Sequence, residues 1–242
     1  MSFPRRLEAE LLDQLPADDP RAMRSRRDLK RVNAWMGNVS WVAAMLRKYT
    51  AGRLPRAILD LGSGDGAFML AVARRLAPHW RGVNVILLDR QNIVSAATLA
   101  DFSALQWHAE AVSADVFDYL TAARADSFDV MTANLFLHHF TDEQLTRLFA
   151  GAAGIAGLLA ACEPRRTKFV IEVSRMLWAA GCNDVTIHDA IASARAGFAG
   201  SELSALWPSR GEWELHERPA ALFSHCFVAR RRAHPDDRGS AR

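Results

Sequence analysis

Four groups of residues in this chain have the types and spacing to do chemistry. The first is Asp60-Leu-Gly-Ser-Gly-Asp-Gly66, where Gly62, Gly64 and Gly66 alternate directly after the apolar run Ala57 to Leu61. Alternating glycines allow a sharp turn and leave no Cβ in the way of a ligand. The second is Asp89, 23 residues after Gly66 and at the end of the largely apolar run Asn84 to Leu88. An acid so placed can accept both hydroxyls of a ribose. The third is the adjacent pair His138-His139, since an imidazole with an ordinary pKa near 6.5 suits proton transfer around neutrality. The fourth is His188 with Arg195, seven apart and therefore on one face of a helix. These two could bind or deprotonate a hydroxyl or carboxyl group. Three of these groups also have a plainer reading: a tight turn without ligand, histidines that satisfy backbone groups before a helix, and an exposed polar helix face.

The elements that must position these residues alternate along the chain. Ala57–Leu61, Asn84–Asp89, Ala109–Ala114 and Phe128–Ala133 read as buried parallel strands, with helical periods between them. Asp115 ends the third strand, and Asn134 follows the fourth. Thr141 and Gln144 have capping-box spacing, and Phe140 with Leu145 a hydrophobic staple, so a helix starts just after the histidines. A fifth strand is expected at Leu158–Cys162, ending in Glu163-Pro164, with a helix from Thr167 to Ala180 closed by Gly181. Phe169–Val173 competes with it as the strand, on β-branched content. Glu163 would then stand at a strand end, or pair with Arg165 or Arg166. Asp184 to Ala196 reads as a helix and Ser201 to Leu206 as a shorter one. Trp213–Glu217 and Phe223–Ala229 make a terminal antiparallel pair. Ahead of the first strand, Leu7, Leu11, Leu12 and Leu15 recur at helical spacing. A helix then opens at Asp19-Pro20 and runs to Met36 with Leu29, Val32 and Met36 on one face, and Ser40–Tyr49 forms another.

Spacing leaves two ligands open for the glycine turn. A dinucleotide fingerprint has its third glycine at position 67, where Ala67 stands, and alanine is sometimes tolerated there. Asp60 would repel a pyrophosphate but could pair with an ammonium group. The run Asp60-x-Gly62-x-Gly64-x-Gly66 resembles motif I of the class I S-adenosylmethionine-dependent methyltransferases, and the resemblance extends over about Arg53 to Arg230. It implies an α/β, Rossmann-like sheet of seven strands. It also implies an N-terminal helical lid over 1–52, a methyltransferase domain over 53–230 and a basic tail over 231–242. S-adenosylmethionine would be held by Asp60, Gly62, Ser63, Gly64, Gly66, Asp89, Arg90, Asp115, Val116 and Asn134. In the family the acid corresponding to Asp115 takes the adenine amino group, with the Val116 backbone beside it. Leu137-His-His-Phe140 after the fourth strand is also similar to the family.

The acceptor is expected to be a small, aromatic molecule. Base and amide N-methyltransferases often carry an Asn/Asp-Pro-Pro-aromatic run where this chain has Asn134-Leu-Phe-Leu, and the acidic cluster of magnesium-dependent catechol enzymes is not found, so no metal is expected. Glu163-Pro-Arg-Arg166, His188-Asp189 and Arg195-Ala-Gly-Phe198 loosely resemble bacterial methyltransferases of aromatic polyketide and quinone pathways. These features lead to O-methylation of a phenolic or quinol-like compound, with His138 the favoured base ahead of His139 and His188. C-methylation of the ubiquinone/menaquinone type and non-catalytic cofactor binding are the alternatives. The adjacent histidines are expected to point different ways.

Composition narrows the partners. The net charge of +3 is accounted for by the five arginines and two aspartates of residues 230–242, which leaves a neutral body and no broad cationic face for nucleic acid. No apolar run reaches the roughly 20 residues of a membrane span, and no signal peptide is visible. Cys162, Cys182 and Cys226 form neither a C-x-x-C pair nor an even framework, so a reducing cytoplasm is expected. The oligomeric state stays open, a homodimer being one option.

Overall fold

Strand and helix alternate from Ala57 to Arg175, as the apolar runs and the helical periods between them require. In the computed structural model, which describes residues 3–16, 18–50 and 53–232, three helices come first: α1 (Leu11–Gln14), α2 (Pro20–Met36) and α3 (Asn38–Tyr49). Then follow β1 (Ala57–Leu61), α4 (Ala67–Leu76), β2 (Val83–Asp89), α5 (Ala96–Ala104), β3 (Trp107–Ser113), α6 (Val116–Ala122), β4 (Val130–Asn134) and α7 (Asp142–Ile155). The chain ends through β5 (Leu158–Pro164), α8 (Lys168–Arg175), α9 (Asp184–Ala196), α10 (Glu202–Leu206), β6 (Trp213–Ala220) and β7 (Ser224–Arg231).

The seven strands lie in the order β3-β2-β1-β4-β5-β7-β6, with β7 antiparallel to both of its neighbours. Strand order reverses between β1 and β4, so a crevice opens beyond their carboxyl ends. Period-two alternation sends Ile58 to one face, against Val42, Leu46, Met69 and Leu76 of α3 and α4. Leu59 and Leu61 go to the other face, against Leu145, Phe149 and Phe227. Burying each such side chain contributes about 1.5–3 kcal/mol, which fixes the height of the crevice floor.

Four local expectations change. The leucine spacing predicts a helix from Leu7, but only one turn forms, at α1. Residues 3–10 run instead as an extended strap, because their polar groups find distant partners. Arg5 donates to the carbonyls of His138, Phe140 and Ala196, and the Leu11 and Leu12 amides donate to Asp189 of α9. In α2 the fully buried stripe is Ala22, Ser25 and Asp28, not Leu29, Val32 and Met36. It packs on α9, where the Thr186 hydroxyl donates to Ser25 at 3.0 Å and the Asn183 amide to Asp28 at 3.0 Å. Every residue of β5 is buried, whereas the competing strand is helix α8, capped by Thr167, with Phe169 exposed. That helix stops at Arg175, and a 3₁₀ turn carries the chain on to Gly181. Arg231, expected in the tail, ends β7 and pairs with Asp126 at 2.5 Å. The remaining tail residues, 233–242, lie outside the described residues. Cys162 and Cys226 face each other across β5 and β7 as buried free thiols, with sulfurs 3.1 Å apart. No described helix is long and apolar enough to cross a membrane.

Candidate active site

The glycine turn floors the crevice. Gly62, Gly64 and Gly66 all adopt positive φ, at 64°, 56° and 76°. A Cβ on Gly62 would lie 2.2 Å from the Phe136 ring, while a Cβ on Gly64 would meet nothing within 4 Å. The first glycine therefore admits Phe136, and the second leaves open space over the backbone. Asp89 secures the turn, accepting from the Gly64 amide at 2.8 Å and the Gln91 amide at 2.9 Å. Each of its oxygens keeps lone-pair capacity for a ligand. The buried Ser63 hydroxyl has no hydrogen-bond partner among the described residues.

Asp60 lies beneath this turn, fully buried, and accepts from the Thr132 hydroxyl at 2.6 Å. Burial pushes its pKa up to about 7, with the Thr132 bond opposing and Asp89 adding to the rise. Above the turn, the crevice forms two adjoining lobes of about 430 and 830 Å³, which share Gly62, Asp89, Leu135 and His138 as walls. Ser63, Gly64 and Asn134 line the smaller lobe; Arg90, Asp115 and Val116 line the larger. The Asp115 carboxylate caps α6 by accepting from the Phe117 amide at 2.8 Å. Helix α2 forms part of the roof of the smaller lobe through Leu29, Lys30 and Asn33, with Lys30 bound to Asp65 at 2.6 Å. Asn134 accepts from the Asn38 amide at 2.9 Å and donates to Asn33 at 3.4 Å, which ties the helices α2 and α3 to the end of β4.

Directly after β4, Leu135 takes φ 53°, an uncommon conformation for a leucine. Glu163 holds the turn that follows. Its buried carboxylate accepts from the amides of Phe136, Leu137 and His138 at 3.0, 2.9 and 3.3 Å. It also bonds His138 Nδ1 at 2.8 Å, so its partner is this loop and not Arg165 or Arg166. The other ring nitrogen of His138, Nε2, lies 3.3 Å from Glu10 on the strap, whose carboxylate also accepts from Ser193. Burial alone would depress the His138 pKa, but hydrogen bonds and charge from Glu10 and Glu163 outweigh it and hold the value at about 9. Glu10 correspondingly sits at about 2, against the opposing effect of its own burial. An imidazolium clamped between two carboxylates is a poor base until one of them leaves.

The structure thus brings His138 and His139 together. Their rings lie 4.3 Å apart, tilted by 32°, on the 3₁₀ turn at Leu137–His139. Burial, and the charge on His138, push His139 below its usual pKa. His188 is not brought to the crevice. It stands half-exposed on α9, 2.9 Å from Asp189, and lines neither lobe. Arg195 on the same helix pairs with Glu8 of the strap. Sequence reasoning missed Glu10, Asn33 and Asn38. The spacing of Arg26, Leu29, Lys30 and Asn33 on one face of α2 carried a signal for the roof of the smaller lobe; nothing local marked Glu10.

Residues 58–156 match the family model of a methyltransferase domain. No curated protein matches the sequence. Among solved structures, the plantazolicin methyltransferase BpumL in complex with SAH is similar with a TM-score of 0.61 at 14% identity, over 91% of this chain and 94% of that one. An O-methyltransferase family protein from Burkholderia thailandensis has a TM-score of 0.58 at 18% identity, over 90% of this chain and 61% of that one. The mitomycin 7-O-methyltransferase MmcR has a TM-score of 0.60 at 20% identity, over 91% and 60%. This chain therefore spans about three fifths of the length of those two O-methyltransferases. The residues present also suit the expected cofactor: an open backbone cradle at Gly64, an orphan hydroxyl at Ser63 and spare acceptor capacity at Asp89. Residues 58–156 thus match a methyltransferase domain, and the seven-stranded sheet has the fold of the solved methyltransferases.

Proposed function

We propose that this methyltransferase transfers its methyl group to a hydroxyl of a phenolic or quinol-like small molecule, with His138 as proton acceptor and Glu163 as the residue that positions it. The carrying observation is the buried His138–Glu163 pair on the wall common to both lobes of the crevice. S-adenosylmethionine supplies an electrophilic methyl group on a sulfonium. Ser63, the Gly62–Gly64 turn, Asp89, Asp115 and Val116 are the residues that would hold it. Residues 1–52 serve as the lid, with α2 as roof and the strap across the larger lobe.

The acceptor hydroxyl takes the place of Glu10 at His138 Nε2. With one carboxylate gone, His138 falls back toward its ordinary range and can receive the proton, while Glu163 stabilises the imidazolium that forms. Holding acceptor and donor in line, away from water, supplies up to roughly 7–11 kcal/mol of the acceleration. The small-molecule acceptor is supported by the mitomycin and plantazolicin enzymes among the structural neighbours.

Incubation with methyl-labelled cofactor and a panel of phenols and quinols tests this reading. The expected product has lost an acidic hydroxyl; a methylated product that keeps its hydroxyl indicates C-transfer and overturns it. His138→Ala should lower kcat by about 10²–10⁴, with partial recovery at high pH where the phenolate forms unaided. A wild-type pH profile in the folded variant removes His138 from the proton transfer.

A further inference from the structure

We propose that Glu10, His138 and His139 form a zinc site that pins the strap over the acceptor end of the crevice and withholds His138 from proton transfer. The second half of this statement rests on the O-methylation reading; the first does not.

One donor atom from each of the three side chains lies within 4.8 Å of the others. Donors about 2.0–2.1 Å from a tetrahedral zinc stand about 3.4 Å from one another. His138 Nε2 and Glu10 Oε1 are already at 3.3 Å. His139 is the most exposed member, and its donor atom lies within 4.8 Å of the other two.

The surroundings prepare the donors. Glu163 engages His138 Nδ1 at 2.8 Å and so turns Nε2 toward Glu10. A carboxylate behind a metal-binding imidazole is the usual orienting arrangement. Asp13 lies 3.8 Å from Nδ1 of His139, a longer approach than that of Glu163 to His138. Ser193 holds Glu10 from the α9 side. Two imidazoles and one carboxylate suit zinc, whereas magnesium and calcium favour oxygen donors throughout. Because His138 lines both lobes and His139 the larger one, the fourth position opens onto the crevice.

The site would couple metal to movement. Glu10 must leave Nε2 before an acceptor hydroxyl can reach it, and a zinc ion shared by Glu10 and the two histidines prevents that departure. Zinc and the acceptor proton also need the same lone pair, so they exclude one another.

Titration calorimetry of Zn²⁺ into the chelator-treated full chain, without acceptor, reads the site directly. One equivalent should bind. Glu10→Gln and His139→Ala should each weaken it by at least the roughly 10–100-fold that loss of an orienting partner alone costs. His188→Ala, on the outer face of α9, should bind as the wild type does. Absence of binding, or unchanged affinity in both Glu10→Gln and His139→Ala, overturns the site. With an accepted phenol in hand, Zn²⁺ should suppress wild-type turnover competitively with that phenol; one bound equivalent that leaves turnover unchanged overturns the blocking role. If no phenol is methylated under any condition, O-methylation fails while the calorimetry still decides the site.

Discussion

Replacing Glu10 by glutamine removes one of the two charges that hold His138 protonated, and the structure gives the size of the effect. At an effective dielectric constant near 20, a charge pair at the 3.3 Å between His138 Nε2 and Glu10 is worth about 5 kcal/mol before desolvation. The pair with Glu163, at 2.8 Å, is worth about 6 kcal/mol on the same scale. Burial of the ring cancels most of that sum. What remains is the rise from 6.5 to about 9, equivalent to roughly 3 kcal/mol in favour of the folded, protonated state. Because the folded pKa lies above the unfolded one, this stability is complete below pH 6.5 and fades as pH rises through about 9. Loss of one neighbouring charge shifts a pKa by about 1–3 units, so His138 in Glu10→Gln should titrate at roughly pH 6–8. Histidine-selective isotope labelling and NMR on the chelator-treated protein would follow the ring, and urea unfolding at pH 7 and pH 10 the stability. The variant should lose about 1–3 kcal/mol at pH 7 and almost nothing at pH 10. The depression of Glu10 to about 2 describes the same interaction from the other side and adds no further energy. A His138 pKa that stays near 9 in the variant, or a loss equal at both pH values, would refute the two-carboxylate account.

Three further outcomes are expected. Gly62→Ala places a Cβ 2.2 Å from the Phe136 ring at a φ of 64°, so it should destabilise by about 2–4 kcal/mol in urea unfolding; a neutral substitution would mean that the turn and Phe136 shift freely. Asp89→Ala should weaken S-adenosylmethionine binding by about 1.5–3 kcal/mol by calorimetry, with part of the loss coming from release of the Gly64 amide; unchanged affinity in the folded variant removes Asp89 from the site. Asp60 has its folded pKa raised from 3.8 to about 7, so its ionisation costs stability as pH climbs through that window. Asp60→Asn should therefore flatten the fall in unfolding free energy between pH 4 and pH 7, and an unchanged slope would show that Asp60 is not the residue responsible.

Much of the fold and the cofactor end of the site was written locally in the chain. The run Ala57–Leu61, the three glycines and the apolar helix after them specify strand, turn and helix through period, positive φ and burial, all within ten residues or so of one another. The capping box at Thr141 and Gln144 forms as its spacing requires, and Gly181 takes the left-handed conformation expected at a helix end. Asp89 stands beside the glycine turn because two adjacent parallel strands end at the same height. The His138 end of the crevice depends on contacts that no local pattern encodes. Glu10 meets His138 across 128 positions, carried by a strap whose leucine spacing suggested a helix and whose hydrogen bonds run instead to α9 and the loop after β4. Glu163 could equally have paired with the arginines next to it, until β4 and β5 aligned and brought three backbone amides to its carboxylate. Period and turn chemistry act over a few residues, so the sequence displays them directly. Which charges share a buried pocket is decided by whichever distant groups satisfy one another, and only the packed chain settles that.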